Sequence, residues 1–139
     1  MIIVSDSSPL IGLAVCDKLD LLPALFDEVI IPEAVYNEVT VPGKRGFDTI
    51  AAWSNGKVVR IENTDFVSTM IANLDRGESE AIALYWEKKA DYLLIDEIIG
   101  RSIARANGIN IIGTAGILTM AKEQGLIAEV KSTWFPHFQ

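Results

Sequence analysis

The chain predicts an α/β fold, a three-layer α/β/α sandwich with a central parallel sheet, on three observations. Short apolar runs recur along it ("IIV", "VII", "YLLI", "INII"), and the first is too continuous for a half-exposed strand and suited to one covered on both faces. These runs alternate with stretches of helical periodicity, and strand–helix–strand spacing of this kind brings right-handed crossovers and parallel pairing. No internal repeat, low-complexity tract or shift of composition divides the 139 residues, so a single domain over 1–139 with one sizeable core is expected.

Each element has its own signal. In "IIVSDSSPLI" the strand is followed by Ser7, Ser8 and Pro9, the cap-then-proline order of a helix start, which leaves Asp6 in the turn between strand and helix. "DKLDLLPALF" reads as a second helix with Leu19, Leu22 and Phe26 at helical spacing. "DEVIIPEAVYNEV" supplies a strand over 29–31 and a helix with Pro32 at its first position. "TVPGKRGFD" is an exposed loop, a short helix runs through Trp53, and "KVVRI" is a strand. "DFVSTMIANL" carries a stripe of Phe66, Val67, Met70, Ile71 and Leu74, and "RGESEAIALYWEKK" is the next helix. Then come "DYLLID" as a strand, "EIIGRSIARANG" as a helix ending at Gly108, "INIIGT" as a strand and "AGILTMAKEQG" as a helix. In the tail, Trp134, Phe135 and Phe138 either close the core or face a second subunit.

Composition narrows the chemistry. Half the residues are hydrophobic and 22% are charged, with no stretch of membrane-spanning length and no signal-peptide layout, so a cytoplasmic protein is expected. One cysteine, Cys16, excludes an internal disulfide framework and sits in apolar sequence as a core thiol. The one histidine, His137, has no second ligand near it, which argues against zinc. A formal net charge of −7 is the wrong sign for gripping nucleic acid through a broad basic face, unless the acids form a local metal site.

The acids sort by position. Asp6 and Asp96 each end an apolar run, so in parallel strands both emerge at the C-terminal edge of the sheet, where open α/β sheets bind ligands. Glu38 lies late on its helix between Val35 and Val39, and Glu78 shares the inward face of its helix with Ala81, Ile82 and Tyr85. Taken singly, Asp6 and Asp96 read as helix caps and Glu78 as a first-turn acid complementing the helix dipole. Together, four carboxylates on one edge repel one another and call for a cation. Oxygen ligands without His or Cys select Mg²⁺ or Mn²⁺, and Mg²⁺ is commonly completed by substrate phosphate, which suits phosphodiester chemistry.

"VSDSSPLI", "IPEAVYNEV", "GESEAIALYWEKKADYLLIDE" and "GINIIGTAGIL", in this order and spacing, resemble the PIN-domain family, and within it the short prokaryotic branch related to VapC-type toxins, over residues 2 to about 127. The resemblance implies an α/β/α sandwich and a Mg²⁺- or Mn²⁺-dependent ribonuclease with an acidic cluster. It places family acids on Asp6, Glu38 and Asp96, with Leu94 standing where the family usually has a threonine two positions before the last acid. The remaining acid falls on Glu78 by gap-free spacing or on Glu80 by its following Ala, and the shared inward face favours Glu78; Glu97 is a candidate for an outer role. The partners so implied are single-stranded RNA, an antitoxin protein and a second copy of the chain.

Ser7 reads as a cap or as a hydrogen-bond donor to a ligand. Arg101 and Arg105, an i,i+4 pair, read as phosphate contacts or as partners of Glu97 and solvent, and Lys44 and Arg45 as RNA contacts or solubilising loop residues. Trp53, Tyr85, Trp86 and Trp134 suit core or dimer packing more than base stacking. Two other classes compete with the nuclease. A phosphoacceptor receiver domain gathers acids and Mg²⁺ at the same edge, but wants paired acids by the first strand and a lysine ending a late strand, where this chain has Ser5 and Ser7 beside Asp6 and no such lysine. A PIN-fold binding module of little or no activity, acting through a dimer or an antitoxin, is favoured by the negative net charge.

Overall fold

The computed structural model describes residues 1–70 and 73–130. Ile71, Trp134, Phe135, His137 and Phe138, named above, lie outside the described residues. Five strands, β1 (Ile2–Ser5), β2 (Glu28–Pro32), β3 (Val58–Val59), β4 (Tyr92–Leu94) and β5 (Ile111–Ile112), form one sheet in the order β3-β2-β1-β4-β5. Every pairing is parallel. The helices among the described residues are α1 (Ser7–Val15), α2 (Leu21–Leu25), α3 (Glu33–Val39), α4 (Phe47–Trp53), α5 (Thr64–Met70), α6 (Arg76–Glu87), α7 (Ile98–Ala106) and α8 (Thr114–Glu123).

Strand alternation builds the two cores. Ile3, Val29, Ile31 and Leu94 pack with Leu10 and Leu13 of α1, Val35 and Val39 of α3, and Ile117 and Leu118 of α8. Val4, Ile30 and Leu93, on the other face, pack with Val67 of α5, Ile82 and Leu84 of α6, and Ala104 of α7. A helix layer on each face is therefore what the period-2 pleat requires of strands that are apolar on both sides. Cys16 is buried as a free thiol.

The strand order turns back between β1 and β4, which makes their C-terminal ends the topological switch point. Register fixes what emerges there. Ser5 pairs with Leu94, and the Asp6 N–H still donates to the Leu94 carbonyl at 2.9 Å, so Asp6 is one step past the ladder.

Boundaries moved where local chemistry decided them. Pro32 ends β2 and stands at the N-cap of α3, so the helix starts at Glu33, one position later than expected from its sequence. Pro9 is the third residue of α1, within the first turn where a missing N–H costs nothing. The second helix begins only at Leu21, because α1 closes with Asp17 in the left-handed region (φ 57°). There the Lys18 N–H reaches the Leu13 carbonyl at 2.7 Å and the Asp17 N–H the Ala14 carbonyl at 3.1 Å, a Schellman closure. The "KVVRI" strand contracts to Val58–Val59 at the sheet edge.

Lys89 repeats that closure after α6, with φ 51° and the Ala90 N–H on the Tyr85 carbonyl at 2.9 Å. Glycine takes this conformation without the Cβ penalty. Lys89→Gly is expected to raise stability by about 1 kcal/mol, read as a higher urea midpoint at unchanged slope.

Candidate active site

Asp6, at the switch point, is only 4% exposed although it carries a carboxylate. It occupies the N-cap position of α1, yet its side chain makes no capping hydrogen bond, so helix capping does not account for it. Burial pushes its pKa up to about 7; the adjacent Ser7 N–H partly offsets this, while Asp75, Glu38 and Asp96 add repulsion.

The other predicted acids arrive on separate elements. Glu38, on α3, is exposed and accepts from the Ser7 hydroxyl at 2.7 Å. Ser7, buried behind Asp6, thus orients Glu38 rather than capping its own helix. Asp96, beyond β4, is exposed and takes both the backbone N–H of Thr114 at 2.8 Å and the Thr114 hydroxyl. Its carboxylate therefore caps α8 from a neighbouring strand, and each oxygen keeps a further lone pair. A hydroxyl does serve this acid, but from Thr114 rather than from position 94, which is Leu94 inside β4.

Glu78 and Glu80 part ways on α6. Glu78 forms a capping box with Asp75: its N–H donates to Asp75 at 2.7 Å and its Oε1 accepts the Asp75 N–H at 3.1 Å. Its Oε2 is buried with no hydrogen-bond donor, facing Glu97 across Gly100. Burial pushes the Glu78 pKa up to about 7, against the Asp75 N–H, with further upward pressure from the Asp75 charge, from the neighbouring Glu97 carboxylate and from Asp6. Glu80 turns the other way, accepting from the Ala34 N–H at 3.1 Å and from Arg76 at 3.1 Å, and so fastens the start of α3 to α6. Glu97 is the N-cap of α7, receiving the N–H groups of Ile99 and Gly100, which hold its pKa below the usual range.

Sequence reasoning missed Asp75 and Thr114. The D-x-x-E pattern at 75–78 ahead of an apolar run is a capping-box signature and would have found Asp75. Nothing local ties Thr114 to Asp96, 18 residues away. Trp53 packs on the core with Lys57 over its ring at 4.8 Å, Tyr85 is buried, and Trp86 is nearly half exposed, edge-on to Tyr85. Lys44 and Arg45 are exposed.

Three glycines keep the acids close. A Cβ on Gly77 would fall 3.1 Å from Glu38 Oε2, one on Gly100 2.9 Å from Glu78 Oε2, and one on Gly113 2.9 Å from Asp96 Oδ1. An open groove of about 540 Å³ runs off the cluster, lined by Asn37, Glu38, Asp75, Arg76 and others.

A family model described as DUF3368: PIN domain matches residues 2–134. The chain belongs to the PIN-domain family. No curated protein matches it. PIN domains have a nuclease-type fold, and the strand order β3-β2-β1-β4-β5 separates this PIN domain from receiver domains, whose flavodoxin-like order is 2-1-3-4-5. Among its described residues no helix is long and apolar enough to cross a membrane. Among them, too, no three acids stand close enough to form a ready-made ion cage. The donor set nonetheless fits a hard divalent cation, which needs only one or two carboxylates beside its waters. The orphaned Glu78 Oε2 and the glycine-lined space between the acids fit it as well.

In the unfolded chain Asp6 loses its proton near pH 4 and in the fold near pH 7, so the native state binds more protons between these values. Stability of the metal-free PIN domain is then highest at the acid end of that window and falls as pH rises through it. Asp6→Asn is expected to remove much of the slope and to raise the melting temperature at pH 8 by roughly 3–6 °C. Thermal melts across pH 4–8 without divalent cations read both; a mutant melting below the parent at pH 8 would contradict it.

Proposed function

We propose that this PIN domain is a Mg²⁺- or Mn²⁺-dependent endoribonuclease, cleaving single-stranded RNA at the edge where β1 and β4 end. The observation that carries this reading is Asp6, buried at the switch point among Asp75, Glu38 and Asp96 with no capping bond to explain it. In this reading Asp6 and Asp96 are the principal metal ligands, and Glu38 and Glu78 hold the metal or its water. The cation supplies a water of lowered pKa and neutralises charge growing on the phosphate.

The protein's own part is placement. Thr114 fixes the Asp96 carboxylate, Ser7 fixes Glu38, and the Asp75 box fixes the Glu78 carboxylate. An RNA substrate, a cytoplasmic setting and a role as the toxin of a toxin–antitoxin pair, acting as a homodimer, are supported by the resemblance to the VapC-like branch. A second reading, a catalytically weak binding module, is favoured by Asp96, both of whose oxygens already accept from Thr114.

Cleavage of a single-stranded RNA is expected to require Mg²⁺ or Mn²⁺ and to fall by roughly two orders of magnitude or more in Asp6→Asn, with the circular dichroism unchanged. Equal cleavage by mutant and parent removes Asp6 from the chemistry. Mn²⁺ at about a hundred times its dissociation constant is expected to stabilise the parent by about 2.7 kcal/mol at pH 7.5 and far less at pH 5, where Asp6 and Glu78 hold protons. Absence of Mn²⁺ binding by calorimetry would instead support the binding module.

A further inference from the structure

Arg101 stands beside the acids without an ion pair among the described residues. It lies on α7, five residues after Asp96, and is half-buried. Its Nη1 donates to the Ile95 carbonyl at 2.9 Å, and among the described residues its side chain makes no other hydrogen bond and no ion pair. The guanidinium rests against Gly113, where an added Cβ would fall 2.8 Å from Nη1 and 2.9 Å from Asp96 Oδ1. One of five N–H groups is thus spent on holding the side chain in place, and the rest of the fork stays free at the rim of the acid cluster.

The other basic residues nearby differ. Arg76 is already 3.1 Å from Glu80, so its charge is met. Arg105, which the i,i+4 spacing pairs with Arg101, is exposed and has no such anchor. Lys44 and Arg45 are on an exposed loop. A rigid planar fork with free N–H groups, next to carboxylates suited to a cation, fits an anion that a cation and an arginine can share. Phosphate accepts both.

We propose that Arg101 binds a phosphate oxygen of the nucleic-acid strand on the Asp96 side of the acid cluster, and that Gly113 is bare so that the guanidinium can lie there. This rests on the nuclease reading above and adds the contact that holds the strand in register with the acids. Arg101 is in this sense a substrate-binding residue, and Gly113 a positioning one.

The test is fluorescence anisotropy of a labelled single-stranded oligoribonucleotide with Ca²⁺ replacing Mg²⁺, over a series of KCl concentrations, alongside cleavage kinetics in Mg²⁺. Arg101→Ala is expected to weaken binding about tenfold or more and to reduce the slope of log affinity against log salt by about 0.7. Arg101→Lys should recover part of both, and Gly113→Ala, whose Cβ would press on Arg101 Nη1 and on Asp96 Oδ1 alike, should weaken both binding and cleavage. Lys88→Ala removes the same charge from an exposed position at the far end of α6 and should change neither. If the parent binds and cleaves while Arg101→Ala keeps its affinity and salt slope, the proposal fails and the nuclease reading stands. An affinity loss with unchanged slope and no recovery in Arg101→Lys would make Arg101 a structural tie to Ile95, which also overturns it. A parent that neither binds nor cleaves the oligonucleotide ends both.

Discussion

The parallel pairing of β1 with β4 is the constraint on which the rest depends. Because Ser5 is level with Leu94, the two chains leave the ladder side by side, and the carboxylates that follow them arrive at one edge. Asp6 is driven into the crevice there, where a buried charge is costly unless neighbours compensate it. The raised proton affinity of Asp6 and Glu78 comes first from that burial and then from the neighbouring carboxylates.

What makes so many acids tolerable is the direction of the helices. In a parallel α/β sheet each helix starts where a strand ends, so helix N-termini collect at the same edge as the acids, with their N–H groups and positive dipole ends. Asp6 stands at the start of α1, Asp75 and Glu78 at the start of α6, and Glu97 at the start of α7. Asp96 borrows the start of α8 through Thr114. Capping and site-building are therefore one arrangement here. The same contacts that satisfy orphan N–H groups fix where the remaining carboxylate lone pairs point.

Small residues and hydroxyls complete the edge. Gly77, Gly100 and Gly113 leave out the one atom that would hold the acids apart, and Ser7 and Thr114 set two of their rotamers. Glu80, two residues after Glu78, is turned to the start of α3 and joins two helices instead. Arg101 is placed by the same logic, pinned by a carbonyl and admitted by a glycine.

The chain by itself determined the fold class, the order of strands and helices, and the emergence of Asp6 and Asp96 at one sheet edge. These follow from periodicity and from where apolar runs stop, both local properties. Helical phase favoured Glu78 over Glu80 for the inward face, since two residues differ by about 200° around a helix, but both are buried, against different partners. Local periodicity stops short of partners distant in sequence: Thr114 to Asp96, Ser7 to Glu38, Glu80 to Ala34, and the bare glycines that admit Arg101. Helix lengths moved too, because the left-handed closure at Asp17 and the cap at Pro32 trade propensity against backbone hydrogen bonds. Tertiary structure decided these, because a side chain's hydrogen-bond partner is set by which elements the sheet order makes neighbours, and that order is a property of the whole packed chain.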